Sequence, residues 1–421
     1  MVAVSGGFCS FAQHQINRIM KLIYSVLFLW ALLWGANCMA QSKPYVVMIS
    51  FDGYRWDYPT KAKTPVLDSI SAVGVRAKSL IPSFPSKTFP NHYTLATGLY
   101  PGNHGIVNNS FRDTSLKIDY SISNKAAVEN GAFYGGEPIW NTAEKQGVKA
   151  GCFFWVGSEA PIQGMHASHW LKYSSKIGWE SRVDSVIAWL SLPEAQRPHL
   201  ALWYVSEPDG IGHKFGPFSD RATATVEELD GLLGYFFAKL RTLPYADSVN
   251  VIFTTDHGMG ATSSERYVNL SRFVKRSDFE YEEVGNPLAL FQPKKGKLEK
   301  VYKALRKVPH VSLWKKGELP ENMHYNTNPR ITDLVLLADS AWSIGWGLPR
   351  PGYDGGAHGY LQTNTDMHGV FCAVGPAFRK GIAVDSFENV EVYNIVCKIL
   401  GLKPAPNDGK LENVLNFLQK P

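Results

Sequence analysis

Short runs of nearly uninterrupted apolar residues alternate along this chain with longer stretches whose apolar positions recur at helical spacing. Tyr45–Ser50 (YVVMIS), Gly151–Trp155 (GCFFW), His199–Val205 (HLALWYV), Val249–Thr254 (VNVIFT) and Gly369–Val374 (GVFCAV) have the length of strands. Such runs suit strands covered on both faces of a sheet. Amphipathic patterns such as Asp220–Leu240 and Glu391–Leu400 fall between them. The order predicts a three-layer α/β/α sandwich around one mixed, mostly parallel sheet. From about 260 to 352 the chain holds strand and helix signals of its own, at Pro287–Phe291, Leu298–Lys307 and Arg330–Ala338. This stretch reads as a cap inserted into one domain that spans 44–421. No internal repeat is visible.

The first forty residues do not fit that pattern. Arg18 and Lys21 precede an uncharged apolar run, Leu22–Trp34, and Cys38-Met39-Ala40 stands before Gln41. A positive stretch, a short apolar core and a small-residue site mark a secretory signal peptide over 1–40, with Met20 as its natural start. Leu22–Ser42 is also long enough to span a bilayer as an uncleaved anchor. Cys38 could instead carry a lipid, although Asn37 before it fits that signal poorly. Export, to a periplasmic or extracellular space, is common to all three readings.

Composition narrows the class. With 45% hydrophobic and 19% charged residues the chain is globular, with a sizeable core. Its net charge of +6 reads as too small and too evenly spread for a nucleic-acid footprint. Beyond the leader, Cys152, Cys372 and Cys397 lie in apolar runs without C-x-x-C spacing. Buried thiols are the better reading, ahead of one disulfide with a spare.

The polar residues that could do chemistry stand where the apolar runs end. Asp52 follows the first run, Asp209 and His213 the third, and Asp256 and His257 the fourth. Ligands of open α/β sheets bind outside the carboxyl ends of the strands, so these five converge on one edge. His358, in Gly355-Gly356-Ala357-His358-Gly359, could join them from beyond the insertion. A single Asp after a strand is more often a turn residue, and a single His is more often structural; six together are not so easily dismissed. Carboxylates with imidazoles and no thiolate suit zinc, and less well manganese or iron. Two such metals can clamp both oxygens of an in-line displacement. A nucleophile is on offer in Ser83-Phe84-Pro85-Ser86-Lys87-Thr88-Phe89-Pro90-Asn91-His92, where Thr88 opens a predicted helix running to about Thr97. Free N–H groups there favour an anion. Apart from the metal constellation, Thr88 would read as a helix cap.

Three blocks, Ile49–Arg55, Pro85–His92 and Thr97–Ile106, resemble the nucleotide pyrophosphatase/phosphodiesterase family of the alkaline phosphatase superfamily. Tyr204-x4-Asp209-x3-His213, Thr255–Met259 and Gly356–Tyr360 are similar to its later blocks, in order. The resemblance implies an alkaline-phosphatase-like fold and two zinc ions per chain. One zinc would be held by Asp52, Thr88, Asp256 and His257, the other by Asp209, His213 and His358. It makes Thr88 the nucleophile, passing through a phosphothreonine intermediate, and Asn109 a transition-state residue. His92 and His104 would orient the loop, and His368 is no ligand.

The family divides between nucleotide and choline-phospholipid substrates. Phe89 and Tyr204 match positions where nucleotide-cleaving members sandwich a base, and Lys87, Trp155 and Tyr173 resemble further positions around that site. The implied activity is release of nucleoside 5′-monophosphates from a small-molecule nucleotide or phosphodiester, with a choline-phospholipid head-group diesterase as the alternative. No specific nucleic-acid partner is implied, and no stable membrane partner unless the leader is retained or lipidated. A phosphomonoesterase would want more cationic groups than Lys87, and a sulfatase would need a C/S-x-P-x-R nucleophile motif that does not occur. A metal-stabilised binding protein would keep the fold without turnover.

Overall fold

The computed structural model describes residues 18–25, 44–349 and 354–419. The expected cleavage or lipidation site, and most of the leader, lie outside these. Among the described residues no helix is long and apolar enough to cross a membrane.

From Pro44 the chain builds β1 (Tyr45–Phe51), α1 (Pro65–Val73), β2 (Val75–Ala77), α2 (Thr88–Thr97), β3 (Ala150–Phe153), β4 (His169–Leu171), α3 (Trp179–Leu190) and β5 (Leu200–Val205). Then follow α4 (Asp209–Phe215), α5 (Asp220–Leu240) and β6 (Val249–Thr254). A second group comprises β7 (Phe279–Val284), β8 (Leu288–Pro293), α6 (Leu298–Leu305), β9 (Val311–Lys315) and β10 (Leu334–Ala338). The chain ends with β11 (Phe371–Val374), β12 (Ile382–Val384) and α7 (Val392–Leu400).

The main sheet has eight strands in the order β12-β2-β11-β6-β1-β5-β3-β4. It is parallel except where β11 runs against β6 and β2. Residues alternate between its faces along β1. Val46 and Met48 enter one core with α2 and α7, while Val47, Ile49 and Phe51 enter another with α1, α3 and α5. Two helical layers over a doubly covered sheet are the predicted α/β/α sandwich, and they explain why these strands are apolar throughout. Several boundaries shift: the strands expected from His199 and Gly369 begin at Leu200 and Phe371, and the helix expected to run to Lys307 ends at Leu305. The run Gly151–Trp155 stops as a strand at Phe153, because Phe154 turns the chain with φ 71°. The helix expected from Glu391 begins at Val392.

The segment after β6 forms a four-stranded sheet, β7-β8-β10-β9, with a core of its own that includes Val301, Leu305, Leu334 and Leu336. Arg330 ties it to the main body: Nε donates to Asp113 Oδ2 at 2.7 Å and a terminal nitrogen to Gly105 O at 2.6 Å. Charge is not evenly spread as expected. Residues 294–316, around α6, hold nine Lys or Arg and one acid. Cys152, Cys372 and Cys397 are buried free thiols, as their apolar settings predict.

One buried acid joins two helices of the outer layer. Asp230, on α5, accepts from Val66 N at 3.0 Å and Leu67 N at 2.9 Å, satisfying orphan donors in the first turn of α1. The local Thr64 makes no such cap. Asp230→Ala is therefore expected to cost about 1–3 kcal/mol of stability. The measurement is the urea midpoint, which should fall at an unchanged slope. An unaltered midpoint would show that the contact contributes nothing.

Candidate functional site

The carboxyl ends of β1, β5 and β6 bring the predicted acids together. Asp52 follows β1 directly and Asp256 and His257 follow β6, while Asp209 is the first residue of α4 and His213 lies one turn on, on the same face. Gly53 lets the β1 turn fit: its φ is 68°, and a Cβ there would stand 3.0 Å from the Asp209 Cβ. Its N–H donates to Asp256 Oδ1 at 3.1 Å. His358 arrives from the segment after the cap, where Gly355–Ala357 pairs with Gly260–Thr262.

Every histidine of the set is oriented in the same way. Nδ1 of His257 contacts Gly258 O at 2.8 Å, Nδ1 of His213 contacts Gly356 O at 2.8 Å, and Nδ1 of His358 contacts Ser86 O at 2.8 Å. A carbonyl can only accept, so each Nδ1 carries the proton and each Nε2 presents a lone pair to the site. The His257 and His358 rings stack with centroids 3.6 Å apart. His358 Nε2 lies 3.1 Å from His213 Nε2 and 3.6 Å from Asp209 Oδ1. His257 Nε2 lies 3.4 Å from Asp52 Oδ1 and 3.0 Å from Asp256 Oδ2.

The acids show a matching asymmetry. Asp52 Oδ2 accepts from the Tyr204 hydroxyl at 2.6 Å, and Asp256 Oδ1 from Gly53 and Thr255. The other oxygens, Asp52 Oδ1 and Asp256 Oδ2, are buried without a hydrogen-bond partner, as is Asp209 Oδ1. Unsatisfied buried carboxylate oxygens are costly unless a cation meets them. Burial, then the charges of Asp256 and Asp209, hold the Asp52 carboxyl well above the usual range. Burial acts the same way on Asp256, but His257 and His92 beside it outweigh that and hold its carboxyl well below. Burial, then His257, Lys87 and His213, depress His358. Orphan oxygens facing lone-pair nitrogens within 3.0–3.6 Å fit divalent cations. Two groups gather closely enough to hold one ion each, Asp52–Asp256–His257 and Asp209–His257–His358. His257 stands between them, and the more exposed His213 stands beside the second.

Thr88 is the first residue of α2, and its Oγ1 is 3.2 Å from His257 Nε2. The helix terminus offers an anion fewer donors than expected: Phe89 N–H is taken by Asn109 Oδ1 at 3.0 Å, and Pro90 has none. Asn109 is thereby fixed beside the turn that carries Thr88. His92 braces the same turn, with Nδ1 3.1 Å from Thr88 O and Nε2 2.8 Å from Ser50 Oγ. His104 is buried between Thr94 and Pro90 O, and burial takes its pKa down to about 3. His368 binds Ser79 and Gln362 O, away from the cluster.

A cavity of about 430 Å³ opens beside Thr88, Asp52 and Asp209. Phe89, Trp155, Tyr173 and Tyr204 line it. Lys87 does not. Its ammonium turns to the cap and donates to Gly285 O at 2.9 Å and Asn286 O at 2.8 Å, and burial lowers its pKa to about 8. Sequence reasoning missed Phe154, Glu159 and Glu207 in the cavity wall and the hydroxyl of Tyr204 on Asp52. Glu207 was within reach of notice, inside the Tyr204-x4-Asp209 spacing; the others depend on how the chain turns after β3 and on side-chain packing.

The comparisons with known proteins agree with this geometry. A family model described as type I phosphodiesterase / nucleotide pyrophosphatase matches residues 46–361. Ectonucleotide pyrophosphatase/phosphodiesterase family member 7 of Mus musculus is 36% identical over 401 residues, covering 92% of this chain and 90% of the relative. Venom phosphodiesterase 2 of Crotalus adamanteus is 36% identical over 386 residues, covering 89% of this chain and 48% of the relative. Murine ectonucleotide pyrophosphatase/phosphodiesterase 5, solved as an inactive threonine-to-alanine form in complex with AMP, superposes with a TM-score of 0.85 at 34% identity. That match covers 89% of this chain and 100% of that one. Matched over residues 46–361 by the family model and over about nine-tenths of its length by relatives and a solved structure, the chain belongs to the type I phosphodiesterase / nucleotide pyrophosphatase family and is an enzyme.

Proposed function

We propose that this enzyme hydrolyses phosphodiester and pyrophosphate bonds of small nucleotides outside the cytoplasm, releasing nucleoside 5′-monophosphates through a phosphothreonine at Thr88. The observation that carries the reading is the set of three orphan carboxylate oxygens and three oriented Nε2 atoms around one threonine hydroxyl. Asp52, Thr88, Asp256 and His257 would hold one zinc ion and Asp209, His213 and His358 a second. When bound, the ions supply the positive charge that lowers the hydroxyl's pKa and stabilises the in-line transition state.

The chain's own residues do the rest. Thr88 Oγ1 attacks phosphorus; the Oγ1–P bond forms as the bond to the leaving oxygen breaks. Water then attacks the phosphothreonine from the opposite side, breaking Oγ1–P and freeing the threonine. Asn109, held by Phe89 N–H, places its amide donors beside the reacting phosphoryl group, where charge develops. Phe89 and Tyr204, in the wall of the same cavity as Thr88, stack on the base. The AMP complex of the murine relative supports a nucleotide in this cavity. The leader and the ecto- and venom names of the relatives support export.

A second reading rests on Glu159 and Glu207. Acids among Phe89, Phe154, Tyr173 and Tyr204 suit a quaternary ammonium as well as a base, which would make the substrate a choline-phosphate ester.

Thr88→Ala is expected to abolish diester hydrolysis while the fold and most bound metal persist, and Thr88→Ser to keep partial activity. Turnover by Thr88→Ala within about tenfold of wild type, about 1.4 kcal/mol of barrier, would refute the covalent route.

Elemental analysis of purified protein should give about two zinc ions per chain. His358→Ala and Asp209→Ala should each lower the content of one site, and chelation should remove activity reversibly. A single metal whose removal leaves turnover intact would contradict the ligand assignment.

Phe89→Ala should raise the KM for a nucleotide p-nitrophenyl ester roughly 5- to 150-fold, the equivalent of lost base stacking. Hydrolysis of bis-p-nitrophenyl phosphate, which has no base, should change far less. Wild-type preference for p-nitrophenyl phosphorylcholine over the nucleotide ester would replace the first substrate reading with the second.

A further inference from the structure

The positive charge of this protein is gathered in one short segment around α6, away from the hydrolytic chemistry. Residues 294–316 hold nine Lys or Arg against the single acid Glu299, whereas the other 398 residues hold 34 against 36. Three of the nine are accounted for. Lys297 pairs with Asp278 at 2.5 Å, Lys315 pairs with Glu299 at 2.7 Å, and Lys316 is half-buried. The remaining six are Lys294, Lys295, Lys300, Lys303, Arg306 and Lys307. All are exposed, and among the described residues none of them forms an ion pair.

The helix beneath them has already used its apolar side. Val301 and Leu305 are buried in the cap core, with Leu298, Tyr302 and Ala304 packed against it. Lys300 and Lys303 stand on the side of α6 left to solvent, and Lys307 is exposed in the turn that follows. Like charges so placed repel one another and add nothing to folding. They do not line the 430 Å³ cavity, so they are not part of the substrate site.

We propose that this face docks the protein reversibly on an anionic lipid bilayer. A bilayer presents a continuous plane of head-group phosphates that can meet six cations spread over α6 and the turns at its two ends, each contributing to electrostatic attraction. Lysine predominates, and its flexible point charge suits such a surface better than a site needing a rigid, two-pronged donor. Single-stranded nucleic acid is disfavoured because no open ring stands among the lysines to stack a base. Tyr302 is half-buried against the cap core, Trp314 is half-buried against the main core, and Lys315 Nζ lies 4.6 Å over the Tyr302 ring. With the apolar face of α6 occupied, binding is by charge alone and does not insert the helix. The chain also meets a membrane in every reading of its leader, since Leu22–Trp34 carries it through or onto one.

The test is vesicle flotation of the full chain, wild type against Lys300→Glu/Lys303→Glu/Lys307→Glu. Binding to pure phosphatidylcholine vesicles sets the baseline from the apolar leader. Vesicles with about one-third phosphatidylglycerol should bind wild type at least about tenfold more tightly at low salt, and the excess should vanish near 0.5 M salt. The triple variant should lose that excess at low salt while hydrolysing a soluble nucleotide ester at the wild-type rate, which shows that it is folded. Equal binding of wild type and variant to anionic vesicles would overturn the proposal. So would wild type that ignores those vesicles yet binds single-stranded DNA or heparin in a manner the triple substitution abolishes.

Discussion

Three carboxylates that cannot crowd together unaided set the terms for the rest of this structure. Asp52, Asp209 and Asp256 each turn one oxygen toward the same small volume, and none of those oxygens has a hydrogen-bond partner. Asp52 and Asp256 are buried, so their repulsion is weakly screened. The fold tolerates it because the sheet leaves no choice: β1 and β6 are adjacent and in register, which puts Asp52 beside Asp256. The sheet core supplies the stability that such a cluster subtracts. Cations are the natural resolution, and the three histidines, each with Nδ1 committed to a backbone carbonyl, present the lone pairs to hold them.

The surroundings are arranged about that constraint. Ser86 serves two neighbours: its carbonyl fixes His358, and its hydroxyl donates to Tyr360 O. The loop before Thr88 is thereby fastened to the segment that carries His358 and Tyr360. Lys87 adds a second fastening, since its buried ammonium is satisfied by two cap carbonyls. The 100 residues between His257 and His358 therefore return to the site fastened at these two points.

Much of this was legible in the residue order. The helix Asp220–Leu240 and the strand Val249–Thr254 fall where the pattern places them, because continuous apolar runs and long amphipathic repeats are strong local signals. Trp155 fell outside its expected strand because Phe154 adopts φ 71°, a turn that no apolar pattern announces. Lys87 was misplaced for a different reason. A cation next to a nucleophile suggests substrate phosphate, yet the direction of a long side chain is decided by what packs around it, here the Gly285–Asn286 loop.

By itself the sequence determined the fold class, the family, and the residue types at the strand ends, since these follow from local periodicity and from contiguous motifs. Tertiary structure alone decided which oxygens and nitrogens face one another, that Tyr204 shares its hydroxyl with Asp52, and that Glu159 and Glu207 complete a cavity wall. The physical reason is range. Hydrophobic patterning acts over a few residues, whereas the Tyr204–Asp52 bond spans 152 positions and the His358–Ser86 bond 272, and both exist only once the sheet has set its register.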